Sequence, residues 1–419
     1  MKYKTYNCNS FNIYTIKTDR FKTSHMEVIF RNVLKKEEIG TYSFLADMLS
    51  EGCKKYPRKK DLITRFEELY KIVIYASTMR VGNVIDLHVS LDFINPEYIE
   101  DEGYIEDVIK TLFEVINNPN VCNDEFDLKT FNIVKERLRR EINSLKENPV
   151  KQSIKEAIKT MDSNSPTSYE LLGTIEELDS ITPSSLYDAY KSLRKNFKVD
   201  VFLIGNLDMD NAASLIKKYF KNRYIVSDNF EVMVDNKETK KVKEKTMKSD
   251  NIQTNLVMLF NLKNLSELEK NITLNAFNYL YGSGGLTSKL YKSIREENSL
   301  CYAINSMYLK YDKLLMVQIS LDNCNVKKAI SLVKKELKSM QNGNFSEEEV
   351  KDAINNMVIS LDMSLDNNIA ILNNYVFNIY DKLPSIEERK EYFKKLTKED
   401  IVNVSKRVKL NTIFTLEGR

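Results

Sequence analysis

The chain contains two histidines, and these are the first residues to consider as ligands of a catalytic metal. His25 lies in the β-type run Ser24–Phe30, and His88 lies in the β-type run Val84–Phe93. Neither has a second ligand residue at a spacing that would bring two donors to one metal ion. Because a catalytic zinc normally takes three protein ligands, the pattern favours ordinary sheet histidines over a metal site.

Cysteines and net charge exclude other kinds of site. The five cysteines form no CxxC pair, and their odd number cannot close into a disulfide framework, so we expect reduced, mostly structural thiols. They are Cys8, Cys53, Cys122, Cys301 and Cys324. A balance of 63 basic and 60 acidic residues, net +3, argues against a broad nucleic-acid surface. The lysine-dense segment Lys237–Lys248 lacks arginines and interleaved aromatics, which indicates a solvated linker rather than a nucleic-acid patch.

The segment Tyr281–Gly285 is rich in glycine and is the other local pattern associated with chemistry. It does not have the form G-x-x-x-x-G-K-[ST] and does not follow a strand, which excludes a nucleotide-binding loop. A flexible connection between two helices would explain the glycines on backbone grounds alone.

The elements that would position these residues occur twice in the same order. The first pass is predicted as a strand at Met26–Phe30, helices at Glu38–Ser50 and Asp61–Tyr70, strands at Ile72–Met79 and Val84–Phe93, helices at Glu102–Ile116 and Glu125–Glu147, and a strand at Val199–Ile204. The second is predicted as a strand at Leu256–Phe260, a helix after Ser266, a helix at Leu286–Glu296, strands at Cys301–Leu309 and Leu314–Leu321, helices at Val326–Met340 and Val350–Leu361, and a strand at Thr412–Leu416.

Matching landmarks lie roughly 215 to 229 residues apart, so each half is predicted to be one α+β domain. The predicted domains are residues 1–234 and 251–419, joined by a lysine-rich linker at 235–250. No apolar stretch approaches the ~18 residues of a membrane-spanning helix, and Met1–Ser10 lacks the apolar core of a signal peptide. We therefore expect a cytoplasmic protein without a membrane span.

The block Gly284–Tyr302 resembles the C-terminal-domain signature of the insulinase-like, or pitrilysin (M16), peptidase family. That signature is a Gly-rich turn, a Ser-Arg/Lys-Leu helix, then Arg-Glu and Leu-x-Tyr. Further similar blocks are Glu141-Ile142 with Asn148-Pro149, Ser168-Tyr169, Gly173–Leu178, Ile181-Thr182 and Leu203–Asp208. The resemblance covers nearly the whole chain and implies two homologous LuxS/MPP-like domains, each a mostly antiparallel sheet packed with helices, forming half of a clamshell. The chain is similar to the small bacterial branch that lacks zinc ligands, and to a group associated with aminopentanol modification of elongation factor P.

The resemblance also identifies a degenerate zinc motif. Active members carry His-x-x-Glu-His on a first-domain helix, where two imidazoles share one helical face and the glutamate activates the metal-bound water. Here Ser43 replaces the first histidine, Ala46 the glutamate and Asp47 the second histidine. Glu141 matches the downstream glutamate ligand. Without a base at Ala46 and with too few ligands, the chain is predicted to hold no metal and not to hydrolyse peptides by itself.

Glu141 has two interpretations. The apolar residues Phe131, Val134, Leu138, Ile142 and Leu145 recur at intervals of three and four, and Glu141 roughly shares their face. A carboxylate there is costly unless it is paired or hydrated. Glu141 is therefore either a former metal ligand or half of a structural ion pair.

Arg295 and Tyr302 match the arginine and tyrosine with which related heteromeric peptidases hold the substrate backbone. A guanidinium and a phenol can both donate hydrogen bonds to peptide carbonyls or to an oxyanion. The alternative is that Arg295 pairs with Glu296 or another surface acid and that Tyr302 packs in the sheet. In relatives without zinc ligands, the loop matching Gly282, Gly284 and Gly285 lines the substrate entrance.

These observations predict a non-catalytic subunit of an M16-type peptidase complex. Its partner would be a chain of similar length that carries His-x-x-Glu-His and zinc, and the two would enclose an unfolded peptide. One alternative is a structural or peptide-binding scaffold without a peptidase partner. Another is an aberrant, self-sufficient metallopeptidase. The sequence leaves open whether the assembly is a homodimer or a heterodimer.

Overall fold

A computed structural model describes residues 3–222, 224–227, 229–237 and 239–419. Its strands are β1 Lys4–Asn7, β2 Phe11–Lys17, β3 Thr23–Val33, β4 Val73–Val81, β5 Val84–Ile94, β6 Val121–Cys122, β7 Glu125–Phe126, β8 Lys198–Gly205, β9 Lys243–Lys248, β10 Thr254–Leu262, β11 Cys301–Leu309, β12 Leu314–Leu321 and β13 Val408–Glu417.

The helices of the first half are α1 Ile39–Leu49, α2 Lys59–Glu68, α3 Tyr104–Asn117, α4 Leu128–Glu147, α5 Pro149–Asp162, α6 Ile175–Ser180, α7 Pro183–Asn196 and α8 Met209–Tyr219. Those of the second half are α9 Leu274–Asn278, α10 Val326–Gln341, α11 Glu347–Ser364, α12 Asn368–Asp381, α13 Ile386–Lys394 and α14 Lys398–Ser405. None of the helices in the described ranges is long and apolar enough to cross a bilayer.

The chain forms two compact units, and the first is built on a six-stranded sheet of order β1-β2-β8-β3-β5-β4. Neighbouring strands are antiparallel except for β2 and β8. Alternate residues of a strand face opposite sides, so Val28 and Phe30 of β3 enter the large core under the helices, while Ile29 joins a smaller apolar cluster on the other face. That second face is covered by α12, through Ile371, Leu372 and Val376.

The second unit repeats this plan on a five-stranded sheet of order β11-β12-β10-β13-β9. Its main core lies between the sheet and helices that include α10 and α14. Its opposite face is covered by α5, whose Ala157 and Met161 pack on Val257, Leu259 and Phe414. The predicted fold of two α+β domains with mostly antiparallel sheets is confirmed.

Each unit includes a segment from the opposite half of the sequence. Residues 365–381 belong to the first unit, and residues 144–168 belong to the second. The predicted division into 1–234, 235–250 and 251–419 uses contiguous stretches, so it does not assign these two segments to the units in which they pack. The lysine-rich stretch was predicted as a solvated linker. It contains the strand β9, which is mostly exposed and pairs in parallel with β13.

Local sequence signals account for many element boundaries. The Gly82-Asn83 turn joins β4 to β5, and Gly82 has the positive φ of 58° that such a tight turn requires. Thr182 caps α7 by accepting from the Ser185 amide, with Pro183 at the first helical position. The predicted helix at Glu125–Glu147 begins later, at Leu128, because Glu125 and Phe126 form the short strand β7.

Candidate functional site

The degenerate zinc motif lies on α1, and its first two positions are closed off by packing. Ser43 is buried, its Oγ lies 2.6 Å from Thr78 Oγ1, and it donates to the Leu171 carbonyl at 2.5 Å. Ala46 is buried in the main core of the first unit. Neither residue offers a metal ligand or a general base at this place.

The third position of the motif, Asp47, forms an ion pair with an arginine side chain. Arg137 of α4 reaches Asp47 through Nη2 at 3.1 Å and Glu51 through Nη1 at 2.8 Å. Partial burial works against the charge, but the hydrogen bond to Glu51 and the charge of Asp47 raise the pKa of Arg137. A guanidinium therefore balances these carboxylates.

Glu141 follows Arg137 by one turn of α4, and its surroundings differ from the expectation. Its helix neighbours Leu138 and Ile142 are buried, but Glu141 is exposed, so it does not share their apolar face. The expectation that the Glu141 carboxylate would be desolvated on the apolar face was therefore wrong. Within the described ranges, no group of three or more His, Cys, Asp and Glu side chains is arranged to hold a metal ion.

Both histidines lie in strands of the first unit, as predicted, and share a buried carboxylate that the sequence analysis missed. His25 contacts Glu27 at 3.2 Å through Nε2 and Asp92 at 2.7 Å through Nδ1. His88 Nδ1 lies 3.4 Å from the other oxygen of Glu27. The alternation of β3 placed His25 and Glu27 on one face, but the sequence did not show the β3–β5 pairing that brings His88 to Glu27.

The charged network continues across the same face. Arg31 lies 3.3 Å from Asp86 and 3.3 Å from Asp200, and all three side chains are buried. Tyr380 of α12 accepts from Arg31 Nε at 2.9 Å and donates to Asp86. The network thereby joins three neighbouring strands to the helix that covers them.

The network sets the protonation of its members. Burial alone lowers the pKa of each histidine, but hydrogen bonds with Asp92 and Glu27 raise the pKa of His25 to about 9. For His88 the carboxylates of Asp86 and Glu27 outweigh burial and also raise the pKa to about 9. Burial raises the pKa of Glu27, yet the two histidines lower it to about 2. Both imidazoles are therefore cations at neutral pH.

Tyr302 lies in the second unit, on β11, the outermost strand of its sheet. Its side chain is 55% exposed, and its hydroxyl donates to Asp322 at 3.1 Å. That hydrogen bond raises the pKa of Tyr302. The phenol does not pack in the sheet, which was the alternative to a substrate-binding role.

Arg295 lies in the π-helical turn Tyr291–Glu296, shortly before β11. It is exposed, and its guanidinium lies 5.1 Å from the centre of the Tyr291 ring. No carboxylate of the described residues lies within ion-pair distance of it. The expected alternative, pairing with Glu296, is therefore not what holds Arg295.

The glycine-rich segment is partly a packing device. Tyr279–Ser283 forms a π-helical turn, so the segment is helical rather than a loose connection. A Cβ on Gly282 would come within 2.5 Å of Ser306 Oγ, and one on Gly284 within 2.6 Å of the Tyr279 carbonyl oxygen. Gly285 has φ of 59° with open space around it. The peptide-holding role assigned to Gly282, Gly284, Gly285, Arg295 and Tyr302 stays a prediction.

Comparison with known proteins shows which family this chain resembles. Residues 180–357 match the family described as "Peptidase M16 inactive domain". A Bacillus subtilis protein described as "Probable inactive metalloprotease YmfF" is 26% identical over 412 residues, which cover 96% of this chain and 95% of the relative.

Two solved structures share the fold. A conserved protein from Enterococcus faecalis is 23% identical with a TM-score of 0.94, covering 100% of this chain and 99% of the other. A peptidase M16 inactive domain from Pseudomonas fluorescens is 16% identical with a TM-score of 0.82 and the same coverages. The resemblance found in the sequence blocks is thereby confirmed.

Proposed function

We propose that this chain is a non-catalytic, peptide-holding subunit of a peptidase complex. The proposal starts from its resemblance to the M16 peptidases, whose inactive domain matches residues 180–357. The observation that carries the proposal is the state of the zinc-motif helix. Ser43 and Ala46 are buried in packing, and the guanidinium of Arg137 pairs with Asp47. The complementary expectation is that a partner chain supplies His-x-x-Glu-His and zinc.

The second unit supports the peptide-holding part of this function. Arg295 keeps an exposed guanidinium, and Tyr302 keeps an exposed hydroxyl that would have to exchange Asp322 for a peptide carbonyl. Neither side chain is consumed by packing in the sheet. Tyr302 lies on an outermost strand, and a strand at a sheet edge can offer backbone hydrogen bonds to an extended peptide. An unfolded peptide could therefore be held by backbone and side-chain donors together, with little dependence on its sequence.

The test uses this chain in complex with a partner of similar length that carries His-x-x-Glu-His. The partner would be recovered by gentle affinity purification from the native cells and identified by mass spectrometry. Arg295→Ala and Tyr302→Phe are each expected to lower peptide turnover by the complex about tenfold, because ~1.4 kcal/mol, the size of one hydrogen bond, corresponds to a tenfold change in rate. The complex should stay intact by size-exclusion chromatography.

Tyr392→Phe is the matched control, because Tyr392 is an exposed tyrosine of the same unit outside this region. It should leave turnover unchanged. Unaltered cleavage by both the Arg295→Ala and Tyr302→Phe complexes would overturn the peptide-holding role. Recovery of the chain without any peptidase partner would favour the scaffold interpretation.

A further inference from the structure

A cavity of about 410 Å³ opens in the second unit at the end of its sheet. It lies where β10 ends at Leu262 and β12 begins, and the Leu262 amide donates to the Lys313 carbonyl at 2.9 Å. Its volume is within the range of small-ligand sites, ~300 to 1,000 Å³. The size suits a small molecule or the end of a chain.

This cavity is separate from the region of Arg295 and Tyr302. β11 runs from Cys301 to Leu309, and Leu309 pairs with Leu314 at the cavity end of the sheet. Tyr302 lies seven residues back along that strand, about 24 Å away at ~3.4 Å per residue. A ligand in the cavity would therefore not touch the proposed peptide-holding residues.

Lysines dominate the charge of the lining. Lys263, Lys270 and Lys313 line the cavity, and Asp235 is the one carboxylate among the lining residues that the structure describes. Lys313 lies 2.7 Å from Asp235, whose side chain is 88% exposed. The hydrogen bond from Lys313, reinforced by the nearby charges of Lys313 and Lys263, lowers the pKa of Asp235. An exposed ion pair of this kind contributes little stability, so an entering anion can displace the aspartate.

Lys270 has a similar competitor. Its ammonium lies 2.5 Å from Glu267, whose side chain is 70% exposed, whereas the Lys270 side chain itself is only 14% exposed. The cation is thus held in the wall, and its carboxylate partner lies toward solvent. Asp235 lines the cavity and Glu267 does not appear in its described lining, but both pair with lysines of the wall from exposed positions.

The polar wall behind the lysines is fixed. Asn236 is 91% buried, donates to the Asp312 carbonyl at 2.6 Å and accepts from Ser165 at 2.7 Å. Asn261 is 94% buried and donates to the Lys237 carbonyl at 3.3 Å. Its Oδ1 has no hydrogen-bond donor among the residues that the structure describes. Because this oxygen is sealed from solvent, a ligand in the cavity would reach it only after the Asn261 side chain turns toward the cavity. A donor placed there would remove the cost of a buried acceptor without a partner.

We infer that this cavity binds a small oxyanion that also carries a hydrogen-bond donor, with the lysines holding the anion and Asn261 accepting from the donor. Hydrogen phosphate has this chemistry, through its P–O–H group. The carboxyl terminus of a peptide has it too, through the N–H of its last residue. Asp235 acts as an internal competitor for the same cations.

The experiment titrates the full chain with four probes by calorimetry at constant ionic strength. Phosphate is compared with sulfate, which has no proton to donate near neutral pH, and N-acetylglycine with acetate, which lacks the amide. At least one donor-bearing probe is expected to bind more tightly than its counterpart. Preference for phosphate identifies a free phosphate-type ligand, and preference for N-acetylglycine identifies a peptide terminus.

Two substitutions with opposite effects test the charges. Lys313→Gln should weaken binding about fivefold, and Asp235→Asn should tighten it about fivefold, the upper end of what an exposed charge pair contributes. Lys327→Gln, on an exposed part of α10, is the control and should change nothing. Asn261→Ala should remove the preference for the donor-bearing probe.

Either of two results overturns the inference. One is no measurable binding of any probe at tens of millimolar, a concentration range in which a millimolar dissociation constant would be detected. The other is binding that neither Lys313→Gln nor Asp235→Asn alters. Equal affinity for donor-bearing and donor-free probes would overturn the role of Asn261. None of these readouts depends on peptide turnover, so they are independent of the function proposed above.

Discussion

Arg137 balances the charge of the carboxylates beside the degenerate motif. Its guanidinium pairs with Asp47 and Glu51, so the carboxylates beside the zinc-motif helix remain compensated. A guanidinium is always charged and has no vacant orbital with which to bind and acidify water. The carboxylates of Asp47 and Glu51 are therefore balanced by a side chain that cannot do the chemistry of a metal ion.

The buried network of the first unit has a different role at the same scale. It brings two imidazolium groups, one guanidinium and four carboxylates onto one face of a sheet, with Tyr380 bridging Arg31 and Asp86. Removing one partner of such a buried pair typically costs ~3 to 5 kcal/mol, because the other charge is left uncompensated. The network thus makes the docking of α12 specific.

The network predicts a defined dependence of stability on pH. The pKa of His25 and His88 is about 9 in the folded chain and 6.5 in the unfolded one, so their contribution is complete below pH 6.5 and is lost as pH rises through 9. Glu27 has a pKa of about 2 against 4.5 unfolded, so its contribution is complete above pH 4.5 and is lost as pH falls through 2. Urea unfolding should therefore show a maximum of stability between pH 4.5 and 6.5.

His88→Gln is the informative variant for this dependence. It should be less stable by ~3 kcal/mol or more at pH 6, and it should lose part of the decline in stability between pH 7 and 9. Lys327→Gln should leave that decline unchanged. A His88→Gln protein with the full alkaline decline would show that the histidines do not carry it.

At the scale of elements, the π-helical turns around Tyr281–Gly285 decide what the glycines do. Gly282→Ala should destabilise the second unit by ~1 to 3 kcal/mol, because the added methyl overlaps Ser306 and Leu290. Gly285→Asn should cost less than ~1 kcal/mol, since asparagine tolerates a positive φ and the space is open. Thermal unfolding of the two variants measures the difference.

Unchanged stability of the Gly282→Ala protein would contradict the packing role of this glycine. If Gly282→Ala unfolded like the unsubstituted chain while the peptidase complex lost turnover, the glycine would serve the substrate rather than the fold. Gly285→Asn, with nothing packed against its position, is then the matched control for a change in loop chemistry alone.

Elements with strong local signals were predictable from the sequence. The β4–β5 hairpin follows from an alternating pattern and the Gly82-Asn83 turn, and α7 follows from Thr182-Pro183. β9 was not predicted, because its charged sequence has no apolar alternation and its pairing with β13 joins residues about 170 positions apart along the chain. Its lysines suit an outermost strand, where charge discourages pairing with another chain.

In the candidate sites, too, local features were predictable from the sequence and long-range contacts were not. The departure from His-x-x-Glu-His at Ser43, Ala46 and Asp47 was readable, because the motif is local in sequence. The ion pair with Arg137 and the sharing of Glu27 by both histidines depend on contacts between distant segments. Periodicity reports which face a residue occupies, but it does not report what lies opposite.

At the scale of the whole molecule, each sheet is completed by a helix from the other half of the sequence. The second face of the first unit depends on α12, which adds Ile371, Leu372 and Val376 to the cluster containing Ile29 and Phe202. The second unit depends in the same way on α5. The duplicated halves are therefore not independent folding units, although the repeat suggests that they are.

A fragment of residues 1–234 tests this dependence. Lacking α12, it should bind an apolar dye and unfold at a lower urea concentration than the intact chain, because Ile29, Phe202 and the charged network would face water. A synthetic peptide of residues 365–381 should reduce the dye signal. The same peptide with Leu372→Asp is the control and should not, and a fragment as stable as the intact chain would contradict the expectation.

The exchange also imposes a schedule on biosynthesis. The last residue of α12 leaves the ribosome only after the 149 residues that follow Val232 up to Asp381 have been made. At ~5 to 20 residues per second, the sheet of the first unit waits on the order of 10 to 30 s with its charged face uncovered. During that interval the nascent chain is open to chaperones and proteases that the finished protein excludes.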